Sequence, residues 1–416
     1  MLMRRKPTAF YSRVPSRKAR ITQTGPEVSE QEAGILDGSA EALWNRIVKL
    51  YDTGVQPGMQ LVVMRHGHKV INRAIGYARG NAPGEDRSNA APMLLDTPNN
   101  VFSASKAVTA MLVHKLDELG ALHIDDAVAD YVPGFERHGK GNITIRQVLT
   151  HRSGLARLPA DAFDLDLLSD PQAIRDLIID AIPSSEIGGA PAYHALSGGF
   201  ILGEVMRGAS GRDPRDLLDE YIKKPLNLQW MDYGVSQDDV DKVALNACTG
   251  VMPKLIGLHM KRVLGLDYAD AVDLSNDPRF LTALVPAGNL ITTANDIARF
   301  YQCLLNGGEL DGVSVFEQKT VRRAITPDGA GAGLDRTIGL PLRYSPGFMV
   351  GHRGVGLYGL NQHRSFGHLG LSSTITSAQP QTDTVISWIT TGKPILGRHL
   401  PQMLGVLNGF NKIGRA

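Results

Sequence analysis

Apolar and polar positions along the chain follow two different periods. Ser39–Asp52 carries Leu43, Ile47, Val48 and Tyr51 on one side, which predicts an amphipathic helix. Gln60–Arg65 and Lys69–Tyr77 then read as two strands joined near Gly67, a hairpin. Asn81–Asn100 clusters Gly, Pro, Asn and Asp without a period and reads as loop. Beyond it the helical period dominates. Helices are predicted from Ser103 to near Gly120, then over Asp125–Tyr131, Ile143–Thr150, Pro171–Ala181, Gly198–Met206 and Pro214–Lys223. Val243 to Phe280 is mixed and apolar, and Asn295–Asn306 is helical, started by Thr292 or Thr293 as a cap. Strand-like segments return at Gly347–Gly351, Arg364–His368, Ser372–Ala378 and Val385–Thr391, and Leu400–Asn411 closes the chain as a helix. Strands at both ends with helices between them predict an α/β sheet domain built from both ends and interrupted by a helical insertion. The boundaries drawn are a basic arm over 1–36, a sheet domain from 37–100 and 285–416, and a mostly helical domain over 101–284.

A chain of 416 residues is too long for one simple core, which agrees with that division. The formal net charge of +2 implies no acidic partner for the body of the chain, and nucleic-acid binding is not supported. Charge is uneven only at the start, where Arg4, Arg5, Lys6, Arg13, Arg17, Lys18 and Arg20 all precede the first acid, Glu27. A targeting segment, a contact with anionic surfaces and a mobile tail all fit this arm. It lacks the apolar core of a secretory signal, and no run of about 18 apolar residues predicts a membrane span, so the expectation is a cytoplasmic protein. Cys248 and Cys303 are far apart and neither sits in a C-x-x-C, which argues against a disulfide framework and against metal or redox roles. His66 and His68 flank the hairpin turn without an identifiable third ligand, so they read as turn residues and no metal or cofactor is expected.

The candidate chemistry lies in VFSASKAVTAMLV, the only S-x-x-K in the chain. Ser103 and Lys106 share a helix face at i, i+3, so the ammonium reaches the hydroxyl. Ser103 at the helix N-terminus would also find unpaired N–H groups and a dipole that favour an oxyanion. Downstream, Tyr193 stands where a Gly/Pro/Ser loop enters an apolar helix. A tyrosine there can shuttle protons, or serve as a hinge that only packs its ring. In RSFGHLGLSSTITSAQP, Gly367 and Gly370 bound an apolar run whose backbone a ligand can approach. The N–H after Gly370, on Leu371, is then a candidate second oxyanion donor beside that of Ser103. His368 is the polar group on this edge.

Ser103-Ala-Ser-Lys106, Tyr193-His-Ala195 and His368-Leu-Gly370 stand in the order of the three motifs of the serine β-lactamase/penicillin-binding-protein superfamily, and the chain resembles its class C-like branch. ITIRQVLTHRSGL, FILGEVMRGASG and PAGNLITTANDIARF resemble that branch too, so the likeness spans roughly residues 40–400. The resemblance implies a β-lactamase/transpeptidase-like fold, an antiparallel sheet flanked by helices with an all-helical second domain. It also implies Ser103 as acylated nucleophile, Lys106 as general base, alone or with Tyr193, and Tyr193 as the group that protonates the leaving group and activates the deacylating water. Substrate would meet Ala195, His368 and Gly370. Two departures matter. Ala195 lacks the amide that holds a lactam side chain, and His368 with Leu369 replaces the charged, hydroxylated K-T. A small neutral ester suits such a site better than an anionic lactam, and the pattern looks like the family VIII carboxylesterases. β-Lactamase or D-amino-acid peptidase activity, acyl transfer and a slow receptor-type domain remain as alternatives. The apolar stretch at 250–266 either walls the acyl pocket or packs as core.

Overall fold

The run Met59–Met64 is apolar at almost every position because both its faces are covered. It lies inside an eight-stranded sheet. Its strands are β1 (Thr22–Thr24), β2 (Gly58–Arg65), β3 (His68–Arg79), β4 (Ala91–Pro92), β5 (Met349–Val350), β6 (Phe366–Gly370), β7 (Thr374–Gln379) and β8 (Thr384–Thr390). The spatial order is β1-β3-β2-β8-β7-β6-β5, with β4 on β3. Every pairing is antiparallel. The N- and C-terminal parts of the chain meet where β2 pairs β8, with Met59 opposite Thr390 and Arg65 opposite Thr384. The computed structural model describes residues 10–158, 164–329 and 333–413.

Alternate side chains of each strand go to opposite cores. Met59, Leu61, Val63, Ile386 and Trp388 point toward α1 (Ser39–Tyr51) and the C-terminal helix (Leu400–Ile413), where they join Leu43, Ile47 and Phe410. Val62, Met64, Val385 and Ile389 join the other core. That core runs without a break from the sheet into the helical region, through α2 (Ser105–Glu118) and α3 (Ser197–Ser210). The α4 helix (Lys254–Leu264) lies outside both cores, and α5 (Ala294–Leu305) packs on β2, β7 and β8. The C-terminal helix is α6. Of the two expected caps for α5, Thr293 serves: its Oγ1 accepts from Asp296 N–H at 3.0 Å. Among the described residues, no helix is long and apolar enough to cross a membrane.

Three local expectations differ from the structure. Asp125–Tyr131 is a single 3-10 turn at Val128–Asp130, because Val128 N–H is drawn to Ile143 O at 2.9 Å and Ala127 bridges Thr144. The expected helix over Ile143–Thr150 is one turn, Ile145–Leu149. Thr144 is its cap, accepting from Gln147 N–H at 3.1 Å. Within the expected loop, Ala91–Pro92 and Asn99–Asn100 are strands too short to carry a readable period. Of the basic arm, Arg4, Arg5 and Lys6 lie outside the described residues. The part nearer the body is ordered on the sheet, since Thr22–Thr24 pairs with Arg73–Ile75 of β3. His66 adopts φ 51 in the hairpin turn and its Nδ1 meets Asp383 Oδ2 at 2.7 Å, both exposed.

Candidate active site

Ser103 sits in a 3-10 turn, Phe102–Ala104, immediately before α2 rather than on the α-helix itself. The turn forms because Phe102 takes φ 50, a left-handed conformation that costs free energy for a bulky residue and persists only where neighbours enforce it. Asn100 Oδ1 accepts from Phe102 N–H at 2.8 Å. The buried Ser105 hydroxyl donates to Phe102 O and accepts from Leu290 N–H at 3.0 Å. Behind the ring, the Lys393 ammonium lies 5.0 Å from the Phe102 centroid. Lys393 is completely buried without a carboxylate and donates to Thr390 O at 2.6 Å; desolvation lowers its pKa to about 7.

Lys106 projects from the first turn of α2 with its Nζ 2.9 Å from Ser103 Oγ. It also donates to Ala195 O at 2.8 Å and Ala287 O at 2.9 Å, so one amine links the Ser103 turn, the Tyr193 segment and the PAGN segment. Some of its surface faces the site, yet protein surrounds it, and desolvation lowers its pKa to about 7. A neutral amine matches three such neighbours: two N–H groups for the carbonyls and a lone pair for the serine proton.

Tyr193 is buried and its hydroxyl lies close enough to Ser103 for that side chain to favour its phenolate. Its ring lies 4.9 Å beneath Lys106 Nζ. Burial is the main cause of a phenol pKa raised well above its usual value, with Ser103 opposing the rise and Asp335 adding to it. The hydroxyl, amine and phenol expected from the motifs are therefore brought together. A lysine close enough to ease formation of the phenolate does not prevail over desolvation: the phenol stays protonated.

The strand carrying His368 and Gly370 approaches the same turn. A Cβ on Gly370 would lie 2.3 Å from Val101 O, two residues before Ser103, so only glycine permits this approach. Leu371 follows directly, half-buried, at the end of β6. His368 is 2% exposed, with its Nδ1 2.8 Å from Leu369 O and its ring 6.1 Å from Tyr193. Desolvation, then the charge of Lys106, lowers its pKa to about 3, so it is a neutral ring carrying its proton on Nδ1. It lines a cavity of about 30 Å3 shared with Lys106, His151, His194 and Tyr344. Ala195 contributes its carbonyl to Lys106, a contact its side chain could not foretell.

Further residues hold this arrangement and carry no motif. The buried Asp335 carboxylate accepts from Tyr193 N–H at 3.3 Å, Ile338 N–H at 2.8 Å and the Tyr344 hydroxyl at 3.0 Å. The His151 ring, in a left-handed residue at φ 60, packs 4.7 Å from both Tyr193 and Tyr344. His151 stands in the quoted HRSGL segment, and that was its only signal. Among the described residues, no group of three or more His, Cys, Asp or Glu is placed to hold a metal ion.

Comparison with known proteins bears on the family and the fold. The Beta-lactamase family model matches residues 44–401. Esterase/beta-lactamase LipL of Mycobacterium tuberculosis is 27% identical over 390 residues, spanning 89% of this chain and 86% of that protein. The crystal structure of a family VIII carboxylesterase superposes with a TM-score of 0.77 at 22% identity, covering 94% of this chain and 99% of the other. A penicillin-binding protein homologue from Caulobacter crescentus gives a TM-score of 0.75 at 24% identity over 90% of this chain and 97% of its own. These likenesses bear out the antiparallel α/β fold of the β-lactamase/transpeptidase type.

Proposed function

The chain belongs to the Beta-lactamase family, and from that premise we propose that it is a serine carboxylesterase that cleaves short-chain acyl esters through a Ser103 acyl-enzyme. The observation that carries this reading is the contact of Lys106 Nζ with Ser103 Oγ at 2.9 Å, by an amine whose pKa is lowered to about 7. Neutral Lys106 takes the serine proton as Oγ attacks the ester carbonyl. The backbone N–H groups of Ser103 and Leu371 stabilise the oxyanion. Tyr193, protonated and beside Ser103, relays a proton to the departing alkoxide, and the bond from carbonyl carbon to alcohol oxygen breaks. In the second half, water gives its proton to the same pair, attacks the acyl carbon and releases the acid with Ser103 restored.

The ester preference follows from what the site lacks. His368 carries no charge at neutral pH and Ala195 offers no side-chain amide, so an anionic lactam finds neither its cation nor its amide partner. A neutral acyl ester loses nothing by this. The test combines labelling with turnover. A fluorophosphonate should add to Ser103, as read by peptide mass spectrometry. Ser103→Ala should abolish both labelling and p-nitrophenyl butyrate hydrolysis while the circular dichroism spectrum is kept. Retained turnover would move the nucleophile elsewhere, and faster hydrolysis of nitrocefin than of the butyrate ester would make the chain a β-lactamase.

A further inference from the structure

The α4 helix sorts its residues in an unusual way. Ile256, Met260, Val263 and Leu264 are half-buried on one side. The outer arc consists of Lys254, Leu255, Leu258, His259, Lys261 and Arg262, all exposed. Leu255 is 82% exposed and Leu258 60%. Two bare leucines thus stand among cations on a helix with no acidic residue in its 11 positions. His259 Nε2 lies 3.1 Å from Ile338 O, which ties α4 to the ribbon Gly333–Leu334 with Pro341–Leu342. That ribbon adds Leu334 at 62% and Leu340 at 52% exposure.

This face borders the catalytic centre. Arg262, Val263 and Leu264 form one wall of a cavity whose other walls are Arg157 with Leu158 and Ala195 with Leu196. Ala195 is the residue whose carbonyl holds Lys106. Apolar side chains left bare beside such a cavity and rimmed by cations have the composition of surfaces that enter a lipid interface.

We infer that α4 and the 333–342 ribbon dock the protein onto an anionic phospholipid surface, with the cavity that reaches Ala195 facing the lipid. Charge decides between the two occupants that apolar exposure alone would allow. Two copies joined face to face through α4 would set Lys254, Lys261 and Arg262 against the same cations of the other copy. A bilayer bearing acidic headgroups meets them with opposite charge. Lys261 already pairs with Asp267 at 3.1 Å, both exposed; Lys254, Arg262 and Arg157 have no ion-pair partner among the described residues. Leu255 and Leu258 then sit at headgroup depth, and an ester drawn from the lipid reaches the cavity without crossing water.

The inference predicts binding and stands apart from turnover. In flotation assays, the full chain should bind vesicles of phosphatidylcholine with phosphatidylglycerol, bind pure phosphatidylcholine at least tenfold less, and lose binding as salt rises. The double variant Leu255→Asp, Leu258→Asp should reduce partitioning at least tenfold. Its unfolding midpoint and its turnover of dissolved p-nitrophenyl butyrate should stay unchanged. Absence of binding by the unaltered chain, or equal binding by the variant, overturns the inference. So does a dimer in sedimentation velocity that the variant converts to monomer, since a second copy would then cover the face. If the chain proves not to hydrolyse esters at all, the flotation result still stands or falls alone, with circular dichroism as the control for folding.

Discussion

Burial moves the two groups on Ser103 in opposite directions. Desolvation disfavours charge, so it lowers an amine and raises a phenol. Lys106, at about 7, is a base available at neutral pH, and Tyr193 is an acid that keeps its proton. The pH dependence follows with a definite sign. Lys106 works unprotonated, so kcat/KM for p-nitrophenyl butyrate should fall tenfold per unit below about 7 and level off above it. Histidine cannot supply that limb, because His194 and His368 are both held at about 3. Lys393 titrates in the same range from behind Phe102. Lys393→Met should lower the plateau and leave the limb in place, whereas a limb that vanishes with Lys393 would assign the base wrongly. Tyr193→Phe should cost about 10²–10⁴ in kcat, typical for loss of a proton-transfer group.

Between elements, the decisive contact is the approach of β6 to the nucleophile turn. Gly370→Ala would place a methyl 2.3 Å from Val101 O, a backbone atom that cannot swing aside, and 3.0 Å from Thr374 Cβ. The strand must retreat, and with it Leu371 N–H, the proposed second oxyanion donor. The expected result is a loss of about 10²–10³ in kcat, the usual effect of losing one oxyanion donor, with fluorophosphonate labelling slowed in step. A variant that kept full activity would show that β6 does not set the oxyanion site. The same scale explains which helices could be foreseen. Those with a buried stripe and a chemical cap, such as α5 behind Thr293, stand close to the bounds the pattern predicts. Val128–Asp130 did not become a helix because a distant carbonyl, Ile143 O, claimed the amide that would have continued it.

In the molecule as a whole, the helical region and the sheet share one apolar core, and several neutral histidines lie inside the protein. His114 is lowered to about 4, and His194 and His368 to about 3, chiefly by desolvation. In the unfolded chain each returns to about 6.5. Between these values the unfolded state binds protons that the folded state refuses, so the stability these histidines contribute is full above about 6.5 and is lost as pH falls. Urea unfolding should show proton uptake that grows from pH 7 to pH 5, where these three histidines give roughly two to three protons, about 1.4 kcal/mol per pH unit for each, and buried His151, also lowered, adds to it. A stability that is level across this window would mean the histidines are already charged in the folded protein.

The amino-acid sequence by itself determined the local quantities: strand and helix periods, the i, i+3 reach from Ser103 to Lys106 and the order of the three motifs. Each depends on neighbours a few positions away. Tertiary structure alone decided that the carbonyls of Ala195 and Ala287 cradle Lys106, that Asp335 and His151 fix Tyr193, that Lys393 lies behind Phe102, and that His368 is buried and neutral. It also left the leucines of α4 bare. Those outcomes rest on burial and on contacts between segments up to hundreds of residues apart, and desolvation is set by everything packed around a group, which no stretch of the chain carries on its own.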